Sequence, residues 1–505
     1  MTVRSALPFA FAILLALWGC QRSADTGTVF SLVSSAECAF LEPSLKRMAK
    51  EHGFALDIQY LTPQDMVQAL GRGRDFQGDA VLAPSGEWLV LGDTAGVVSE
   101  RTPVMELPLA LGVRQEQAKE LGLSPEGLAA SDLTRLTGEG KLTYLLASPS
   151  QTAVGLAAYI GLAQAQTGKT IPLHLADVNH TDTLEALKTV FSGVARSSGS
   201  PVWVKYLFES GGYPAVLHYR HVLREANQEA AGGGGEPLMV IPILGGEMAA
   251  RPTLGYVDRG HPAKHEAYDN IRTLLTSEET RRQLAGRGIA PPQAKAQGVP
   301  WRREDLAGLM ALYQERLRKP SLTVYAVELS AKMKGFAERE AKRAIRMALD
   351  SKQSADRFLQ AQPKDQTYLI VYNDKVVKSW RLDAMSEDQR TQFLTQFDAL
   401  PPQGKANPYS ALAEAGTLLL RQDLTHMLPS VILLAYDTPT APGKSLRDVR
   451  QLWQTLRREV PIQAIQFGEI SRDKLDAIAE ATRGRIFDGR TDLPGAVFAA
   501  RGYNN

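Results

Sequence analysis

Hydroxyl side chains are concentrated in four short turns, and most of these turns directly follow an apolar, β-rich run. The turns are Ser34-Ser35, Pro84-Ser85-Gly86, Ser148-Pro149-Ser150-Gln151-Thr152 and Ser197-Ser198-Gly199-Ser200. A helix that begins after such a turn has unpaired backbone N–H groups and a partial positive charge, which an anionic or polar ligand can approach closely. Helix capping explains any one of these turns taken singly. Four of them in one region favour a shared ligand site lined with neutral donors.

Two regions of alternating strands and helices are predicted to position these turns. From residue 28 to about 315, short apolar runs alternate with helical periodicity, which predicts α/β units around a largely parallel sheet. Ligand crevices form at the carboxyl ends of the strands in such sheets. Lys319-Pro320 marks a break, and a second alternation over residues 321–505 predicts a doubly wound open sheet with helices on both faces. Within the two regions the same patterns predict helices at Ala153–Gln166 and His265–Leu284, a flexible loop at Gly232–Gly235, a connecting segment at Ile289–Pro300 and a strand at Leu322–Leu329.

Five segments of the first region resemble periplasmic solute-binding proteins of the type II class that includes oxyanion receptors. They are Val33-Ser34-Ser35-Ala36-Glu37, Asp79-Ala80-Val81-Leu82-Ala83, Ala110-Leu111-Gly112-Val113, residues 148–155 and Ser197-Ser198-Gly199-Ser200. The resemblance implies two α/β lobes that close on a ligand, with lobe 1 at about 28–110 and 237–300 and lobe 2 at about 111–236. The ligand-binding residues that it implies are Ser34, Ser35, Ser85, Ser148, Ser150, Thr152, Ser198, Ser200 and Tyr219.

The second region resembles a von Willebrand factor type A domain, with the likeness covering most of residues 321–500. The segments that carry it are residues 324–333, 411–415, 431–434 and 465–468. That family holds Mg²⁺ with carboxylate and hydroxyl oxygens. Here Glu328 replaces the first Asp, Ser330 is retained, Lys332 replaces the second Ser, Ala406 stands in place of the Thr, and Asp437 is displaced by one residue.

These departures predict a metal site that has lost its function. A protonated lysine cannot ligate a cation, and its charge repels a divalent ion. We therefore expect no metal here, with Lys332 pairing with Glu328 as a built-in cation. The domain is then expected to bind a partner protein without a metal.

The first twenty residues have the pattern of an export signal. Arg4 precedes an uncharged run from Ala6 to Gly19, which is too short to cross a bilayer comfortably. Leu17-Trp18-Gly19-Cys20 resembles the lipobox of bacterial lipoproteins, although Trp18 stands where a small residue is usual. The resemblance implies acylation of Cys20, a tether at residues 21–27 and, from Gln21, an outer-membrane address in a Gram-negative cell. A plain secretory signal and a short anchor helix are the alternatives.

Charge and cysteine usage exclude several function classes. Lys and Arg total 57 against 55 Asp and Glu, a net charge of +2, which leaves no electrostatic basis for binding nucleic acid. Two cysteines, Cys20 and Cys38, imply no disulfide framework, and Cys38 is expected to be a buried free thiol. No paired nucleophile and base, zinc-binding spacing or cofactor motif is present, so neither an enzyme nor a cofactor is expected.

The sequence therefore predicts an envelope-anchored lipoprotein that captures a small polar or anionic solute between two lobes. Its C-terminal domain is expected to engage an envelope protein. One alternative is a structural adhesion or assembly scaffold without a small-molecule ligand, and another is the substrate-binding component of an ABC importer.

Overall fold

The computed structural model of this chain describes residues 28–233, 236–292, 301–383 and 385–504. The predicted signal peptide, Cys20 and the tether lie outside these ranges, as does most of the connecting segment predicted at Ile289–Pro300. Among the described residues, no helix combines the length and apolar character needed to span a bilayer.

Thirteen strands are described before residue 257. In chain order they are β1 (Val29–Ser35), β2 (Ala55–Leu61), β3 (Ala80–Ala83), β4 (Glu100–Pro103), β5 (Leu107–Arg114), β6 (Leu128–Ala129), β7 (Tyr144–Ala147), β8 (Val194–Ser198), β9 (Ala215–Tyr219), β10 (Leu238–Ile241), β11 (Ile243–Leu244), β12 (Ala249–Ala250) and β13 (Thr253–Tyr256).

The helices of the same part of the chain pack on these strands. They are α1 (Glu42–Glu51), α2 (Pro63–Leu70), α3 (Gly86–Gly92), α4 (Gln115–Glu120), α5 (Ala130–Gly138), α6 (Ala153–Thr167), α7 (Leu175–Val178), α8 (Thr181–Ser192), α9 (Pro201–Glu209), α10 (Arg220–Gly233), α11 (Pro262–Thr276), α12 (Glu278–Gly286) and α13 (Arg303–Leu312).

Two sheets divide this part of the chain into two lobes. In lobe 1, residues 28–103 and 253–292, the strand order is β2-β1-β3-β13-β4. In lobe 2, residues 107–250, the order is β10-β5-β9-β7-β8, with β12 also paired to β5. The sequence predicted a largely parallel sheet, but both sheets are mixed. Strand β13 runs antiparallel to β3 and β4, and β5 runs antiparallel to β9 and β10.

The chain crosses between the lobes at residues 104–106 and 251–252. The second crossing lies later than the sequence predicted, since residues 238–250 were expected in lobe 1 and pair with β5 of lobe 2 instead. A single hydrophobic cluster extends through both lobes, including Phe30 and Leu32 of lobe 1 and Leu145 and Leu217 of lobe 2. The two lobes are therefore packed against each other in this structure.

Several element boundaries differ from the prediction for local reasons. The predicted helix His265–Leu284 is two helices, α11 and α12, because the side chain of Ser277 caps the second one at the backbone N–H of Thr280. The predicted loop Gly232–Gly235 is partly helical, since α10 continues to Gly233. Ser34 and Ser35 belong to β1 itself rather than to a turn after it.

The C-terminal domain, residues 321–504, is built on a six-stranded sheet. Its strands are β14 (Ser321–Glu328), β15 (Gln366–Tyr372), β16 (Val376–Arg381), β17 (Leu428–Ala435), β18 (Ile462–Gln466) and β19 (Ile486–Asp488). Its helices are α14 (Phe336–Leu349), α15 (Ser351–Ala355), α16 (Glu387–Asp398), α17 (Pro408–Leu420), α18 (Leu446–Gln454), α19 (Arg472–Glu480) and α20 (Leu493–Gly502).

The strand order of this domain is β16-β15-β14-β17-β18-β19, and only β16 is antiparallel to its neighbour. Every residue of the central strand β14 is buried, as is usual for a parallel strand covered on both faces. Alternate residues of β14 belong to two separate hydrophobic clusters, with Val324 and Ala326 in one and Tyr325 and Val327 in the other. The predicted open sheet with helices on both faces is therefore observed.

Charged and polar contacts dock the C-terminal domain on the lobes. The Arg196 side chain of lobe 2 pairs with Glu459 and donates to the carbonyl of Arg483 at 2.6 Å. The Tyr213 hydroxyl donates to the same Glu459 carboxylate at 3.0 Å. At the junction, the buried Arg318 forms a bidentate ion pair with Asp365. The two parts of the chain thus share a specific interface.

Candidate functional site

Three of the predicted ligand-binding hydroxyls cap helices. The Ser35 Oγ accepts from the N–H of Glu37 at 3.2 Å, Thr152 Oγ1 accepts from that of Gly155 at 3.1 Å, and Ser200 Oγ accepts from that of Trp203 at 3.3 Å. Their hydrogen-bonding capacity is directed at the chain's own backbone. Helix capping, the alternative weighed for each turn, is the role that these three side chains have here.

The other predicted serines are buried, with Ser34 within β1, Ser85 before α3, Ser148 and Ser150 in the turn after β7, and Ser198 at the end of β8. The Ser148 N–H donates to the carbonyl of Ser198 at 2.7 Å, which joins the turn after β7 to the end of β8. The Ser198 Oγ accepts from the N–H of Ser200 at 3.1 Å. Ser34 donates only to its neighbour's carbonyl. The structure therefore brings the Ser148–Thr152 and Ser198–Ser200 turns together.

Ser150 is the predicted residue with the most contacts from other parts of the fold. Its Oγ accepts from Gln314 Nε2 at 2.7 Å, and its carbonyl accepts from Gln64 Nε2. Gln64 belongs to lobe 1, whereas Ser150 belongs to lobe 2, so this contact crosses the interlobe boundary. Gln314 lies in the segment that follows α13 and connects the lobes to the C-terminal domain.

A carboxylate of lobe 1, Glu37, reaches into lobe 2 at the first turn of α6. Its Oε1 accepts from the N–H of Ala153 at 3.1 Å, and its Oε2 accepts a short hydrogen bond from the Tyr219 hydroxyl. The first turn of α6 contains no acidic residue of its own. Glu37 thus places a carboxyl group at the N-terminal end of a helix in the opposite lobe.

Burial governs the electrostatics of this contact. Removal from water raises the pKa of the Glu37 carboxyl, while hydrogen bonds from Tyr219 and from the N–H groups of Ala153 and Val154 oppose part of that rise. Burial and the adjacent carboxylate raise the pKa of Tyr219 well above its usual value and also raise that of Cys38. Cys38 is a buried free thiol, as the sequence predicted.

Among the predicted ligand-binding residues, Tyr219 of lobe 2 has a side chain that hydrogen-bonds to the Glu37 carboxyl of lobe 1. Glu37 was within a segment quoted for the family resemblance, but it was not selected as a site residue. The signal that could have identified it is a carboxylate two residues beyond β1 facing a helix whose first turn has no acidic residue.

The space between the lobes is small. Ser85 lines a cavity of about 10 Å³, together with Leu156, Ala157 and Arg251, which is room for at most one water molecule. A cleft of about 910 Å³ lies elsewhere, between α15, α16 and α20 of the C-terminal domain. Among the predicted ligand-binding residues, Ser85 therefore lines a cavity too small for a solute, and none lines the cleft of about 910 Å³.

The residues of the predicted damaged metal site do come together at the ends of β14 and β17. The buried Glu328 carboxylate accepts from the Ser330 hydroxyl at 2.6 Å and from the N–H of Tyr436 at 2.8 Å. The N–H of Asp437 also donates to it. Burial raises the pKa of Glu328, and these hydrogen bonds offset part of the rise.

Lys332 was expected to pair with Glu328, but in the structure it pairs with Asp437. Its Nζ lies 2.9 Å from Asp437 Oδ1 and 3.9 Å from Glu469 Oε2. Ala406 is buried and offers no side-chain oxygen. No group of three or more His, Cys, Asp or Glu side chains suited to a metal ion occurs in the described part of the chain. The ammonium group of Lys332 supplies the positive charge beside Asp437.

No family model and no curated protein matches this chain. Its neighbours among solved structures are periplasmic binding proteins. The ferric ion-binding protein A from Pasteurella haemolytica has a TM-score of 0.42 and 13% identity, covering 57% of this chain and 97% of that one. The sulfate-binding protein SubI from Mycobacterium tuberculosis has a TM-score of 0.40 and 16% identity, covering 56% and 98%.

A third neighbour is the periplasmic binding protein AfuA from Actinobacillus pleuropneumoniae, solved with fructose-6-phosphate bound. It has a TM-score of 0.40 and 14% identity, and the match covers 54% of this chain and 88% of that one. The ligands in these names belong to those proteins.

Proposed function

We propose that this chain is a binding protein of the cell envelope, not an enzyme, and that its two lobes take a small anionic solute at the N-terminus of α6. The observation that carries the proposal is the contact of Glu37, since the N–H of Ala153 and the hydroxyl of Tyr219 already hold a carboxylate that comes from the opposite lobe. A site that binds one carboxylate between two lobes has the donors for another anion of similar size.

The donor set defines the class of ligand. Backbone N–H groups at a helix N-terminus and a tyrosine hydroxyl are neutral donors, which suit an oxyanion or carboxylate without a balancing cation. In the closed arrangement Glu37 occupies these donors. A solute therefore enters when the lobes separate, and it competes with Glu37 for the α6 N-terminus.

Thermal unfolding of residues 21–505 with added anions tests this proposal. The wild type and Glu37→Ala are compared in phosphate, sulfate, acetate, citrate and a sugar phosphate, with a neutral sugar as a negative control. A ligand that binds only the folded state at one hundred times its Kd adds about 2.7 kcal/mol. We expect one anion class to raise the Tm of the wild type, and acetate or another small anion to raise that of Glu37→Ala more strongly.

Glu116→Ala is the matched control. Glu116 is an exposed glutamate in the first turn of another lobe 2 helix, α4. Its response to every anion should equal that of the wild type. If neither the wild type nor Glu37→Ala responds to any anion, the solute-binding proposal is wrong.

A structural scaffold without a solute is the second candidate function. It is favoured by the packed interface, in which Glu37, Gln64 and Ser150 fill the contact and the cavity beside Ser85 is about 10 Å³. The same experiment separates the two candidates. A response of Glu37→Ala to small anions, with a wild type that is silent, supports the scaffold, since the internal carboxylate then replaces a ligand permanently.

The proposal includes envelope anchoring through Cys20 and recognition of an envelope protein by the C-terminal domain, as in von Willebrand factor type A domains but without a metal. The support for the domain assignment is the strand order β16-β15-β14-β17-β18-β19. Labelling cells with an alkyne fatty acid tests the anchor. The full-length chain should carry the label, and Cys20→Ser should not, whereas equal labelling of both would contradict lipidation.

A further inference from the structure

Three consecutive residues of the C-terminal domain contact both lobes. The carbonyl of Asp356 accepts from Gln68 Nε2 of lobe 1 at 2.9 Å. Gln151 Nε2 of lobe 2 donates to the carbonyls of Arg357 at 3.1 Å and Phe358 at 3.5 Å. One short segment therefore bridges two bodies that the chain otherwise connects by its crossings at 104–106 and 251–252.

The ring of Phe358 adds an apolar contact to these hydrogen bonds. Its residue is 8% exposed, and it belongs to the hydrophobic cluster of the two lobes and not to the two clusters of its own sheet. Phe358 also has a φ of 49°, a left-handed backbone that a bulky residue adopts only where its surroundings enforce it. The segment is thus held in a conformation that docks the ring on the lobes.

The same segment is tied firmly to its own domain. The guanidinium of Arg357 lies 4.6 Å from the centre of the Phe498 ring in α20. The carbonyl of Leu359 accepts from Arg501 Nη2 at 2.9 Å. Because of these anchors, the segment moves with the C-terminal domain and not as a free loop.

One face of helix α2 in lobe 1 contacts both lobe 2 and the C-terminal domain. Gln64 and Gln68 are four residues apart, so they lie on one face of α2. Gln64 donates to the carbonyl of Ser150 in lobe 2, and Gln68 donates to Asp356. A rotation that carries α2 away from lobe 2 while the C-terminal domain stays on lobe 2 therefore breaks the contact of Gln68 with Asp356 as well.

We infer that Asp356–Phe358 is a clasp with which the C-terminal domain holds the two lobes together, so that the lobes separate only when this domain is released from them. A partner protein that draws the C-terminal domain away opens the lobes. The further consequence, that the C-terminal domain controls entry of an anion to the α6 N-terminus, rests on the proposed function. The clasp itself does not, because it concerns contacts present without a ligand.

The distance between the lobes in the absence of any ligand tests the clasp. Spin labels are attached at Lys50→Cys in lobe 1 and Lys119→Cys in lobe 2 of residues 21–505, both positions being exposed and Cys38 being buried. We expect one distance population in the otherwise unchanged chain. Phe358→Gly, which suits the left-handed backbone and removes the ring, should add a second population at a longer distance.

A double variant, Gln68→Ala with Gln151→Ala, removes both sets of clasp hydrogen bonds without altering the C-terminal domain. It should produce the same longer population, and its result decides the matter if Phe358→Gly does not fold. Phe336→Ala is the control, since Phe336 is a phenylalanine of the same domain that is 72% exposed. If the double variant keeps the single distance population, the clasp is overturned.

The outcomes of the two experiments are independent. An anion panel without any effect removes the proposed function but leaves the lobe distances as the measure of the clasp. Unchanged lobe distances remove the clasp and leave anion binding to be decided by the thermal shifts of the wild type and Glu37→Ala.

Discussion

At the scale of single residues, Glu37 and Lys332 each place a side chain of the protein itself where the sequence patterns suggest a bound anion or metal ion. The Glu37 carboxylate accepts from the first N–H of α6, and the Lys332 ammonium lies beside Asp437. Both are long side chains that cross from one element to another.

The stability contributed by Glu37 should depend on pH in a defined direction. Its pKa in the folded protein is raised from 4.5, so the folded chain binds more protons than the unfolded chain, and stability falls as the pH rises through the folded pKa. Tyr219 and Cys38 face Glu37 and stay neutral, because the pKa of each is raised. We expect the Tm of Glu37→Gln to gain on that of the wild type as the pH rises above about 4.5 toward the raised pKa of Glu37, and parallel curves would contradict this.

His218 should act in the opposite direction. Its Nε2 contacts the carbonyl of Pro201 at 3.1 Å and its Nδ1 accepts from the N–H of Tyr219 at 2.8 Å, an arrangement that requires the neutral ring. Burial lowers the pKa of His218 from 6.5 to about 4. The neutral ring therefore contributes stability above pH 6.5 that is lost as the pH falls toward 4, up to about 3 kcal/mol.

Urea unfolding of His218→Gln at several pH values measures this contribution. The variant should lose less stability on acidification than the wild type. Its glutamine takes up no proton between pH 6.5 and pH 4, whereas the unfolded wild type protonates His218 in that range. The exposed His52, changed to Gln, is the control. An acid-induced loss of the same size in His218→Gln and the wild type would contradict the assignment.

At the scale of elements, the ends of β14 and β17 show how strand pairing selects the site chemistry. The parallel pairing of these strands brings Glu328 next to the N–H groups of Tyr436 and Asp437. Glu328 is thereby satisfied by the backbone of the neighbouring strand end. Lys332, in the turn after β14, is left to neutralise Asp437.

Replacing Lys332 should create a dependence on a divalent cation that the wild type lacks. In Lys332→Ser the Asp437 carboxyl, which is 5% exposed, lies beside Glu328 without the ammonium group that pairs with it in the wild type. We expect a lower Tm that Mg²⁺ restores in part, while Mg²⁺ leaves the wild type unchanged. Lys334→Ser, at the next exposed lysine, is the control. A wild type that Mg²⁺ stabilises equally would show that Lys332 does not replace the ion.

At the scale of the whole molecule, Glu459 makes charged and polar contacts across the interface between lobe 2 and the C-terminal domain. This carboxylate accepts from Tyr213 and pairs with Arg196, whose side chain is 4% exposed. Glu459→Ala leaves a buried guanidinium without its carboxylate. We expect the domain contact to weaken by about 1–3 kcal/mol, since a buried group loses its partner.

Calorimetric unfolding measures that loss. The wild type should unfold with coupled lobes and C-terminal domain, and Glu459→Ala should separate their transitions. Glu480→Ala, at an exposed glutamate of α19, is the control. A single transition shared by Glu459→Ala and the wild type would mean that the docking does not depend on this carboxylate.

Local patterns in the sequence were sufficient to predict the central strand β14 of the C-terminal sheet and helix α6 of lobe 2. Leu322–Leu329 was predicted for β14, which is Ser321–Glu328, and Ala153–Gln166 for α6, which is Ala153–Thr167. Both are strongly apolar segments bounded by turn residues. The edge strand β16 was missed because its apolar residues, Val376, Val377 and Trp380, are interrupted by Lys378 and Ser379 and form no apolar run of strand length.

The sequence by itself determined the α/β class, the break at Lys319-Pro320 and the buried thiol of Cys38. These follow from residue types and from periodicities of a few residues. The tertiary structure alone decided which side chains meet across the lobes and the domains. Glu37 meets Ala153 and Tyr219 over 116 and 182 residues, and Lys332 meets Asp437 over 105. Pairings at such separations depend on how sheets pack and where the chain crosses between them, which no local pattern encodes.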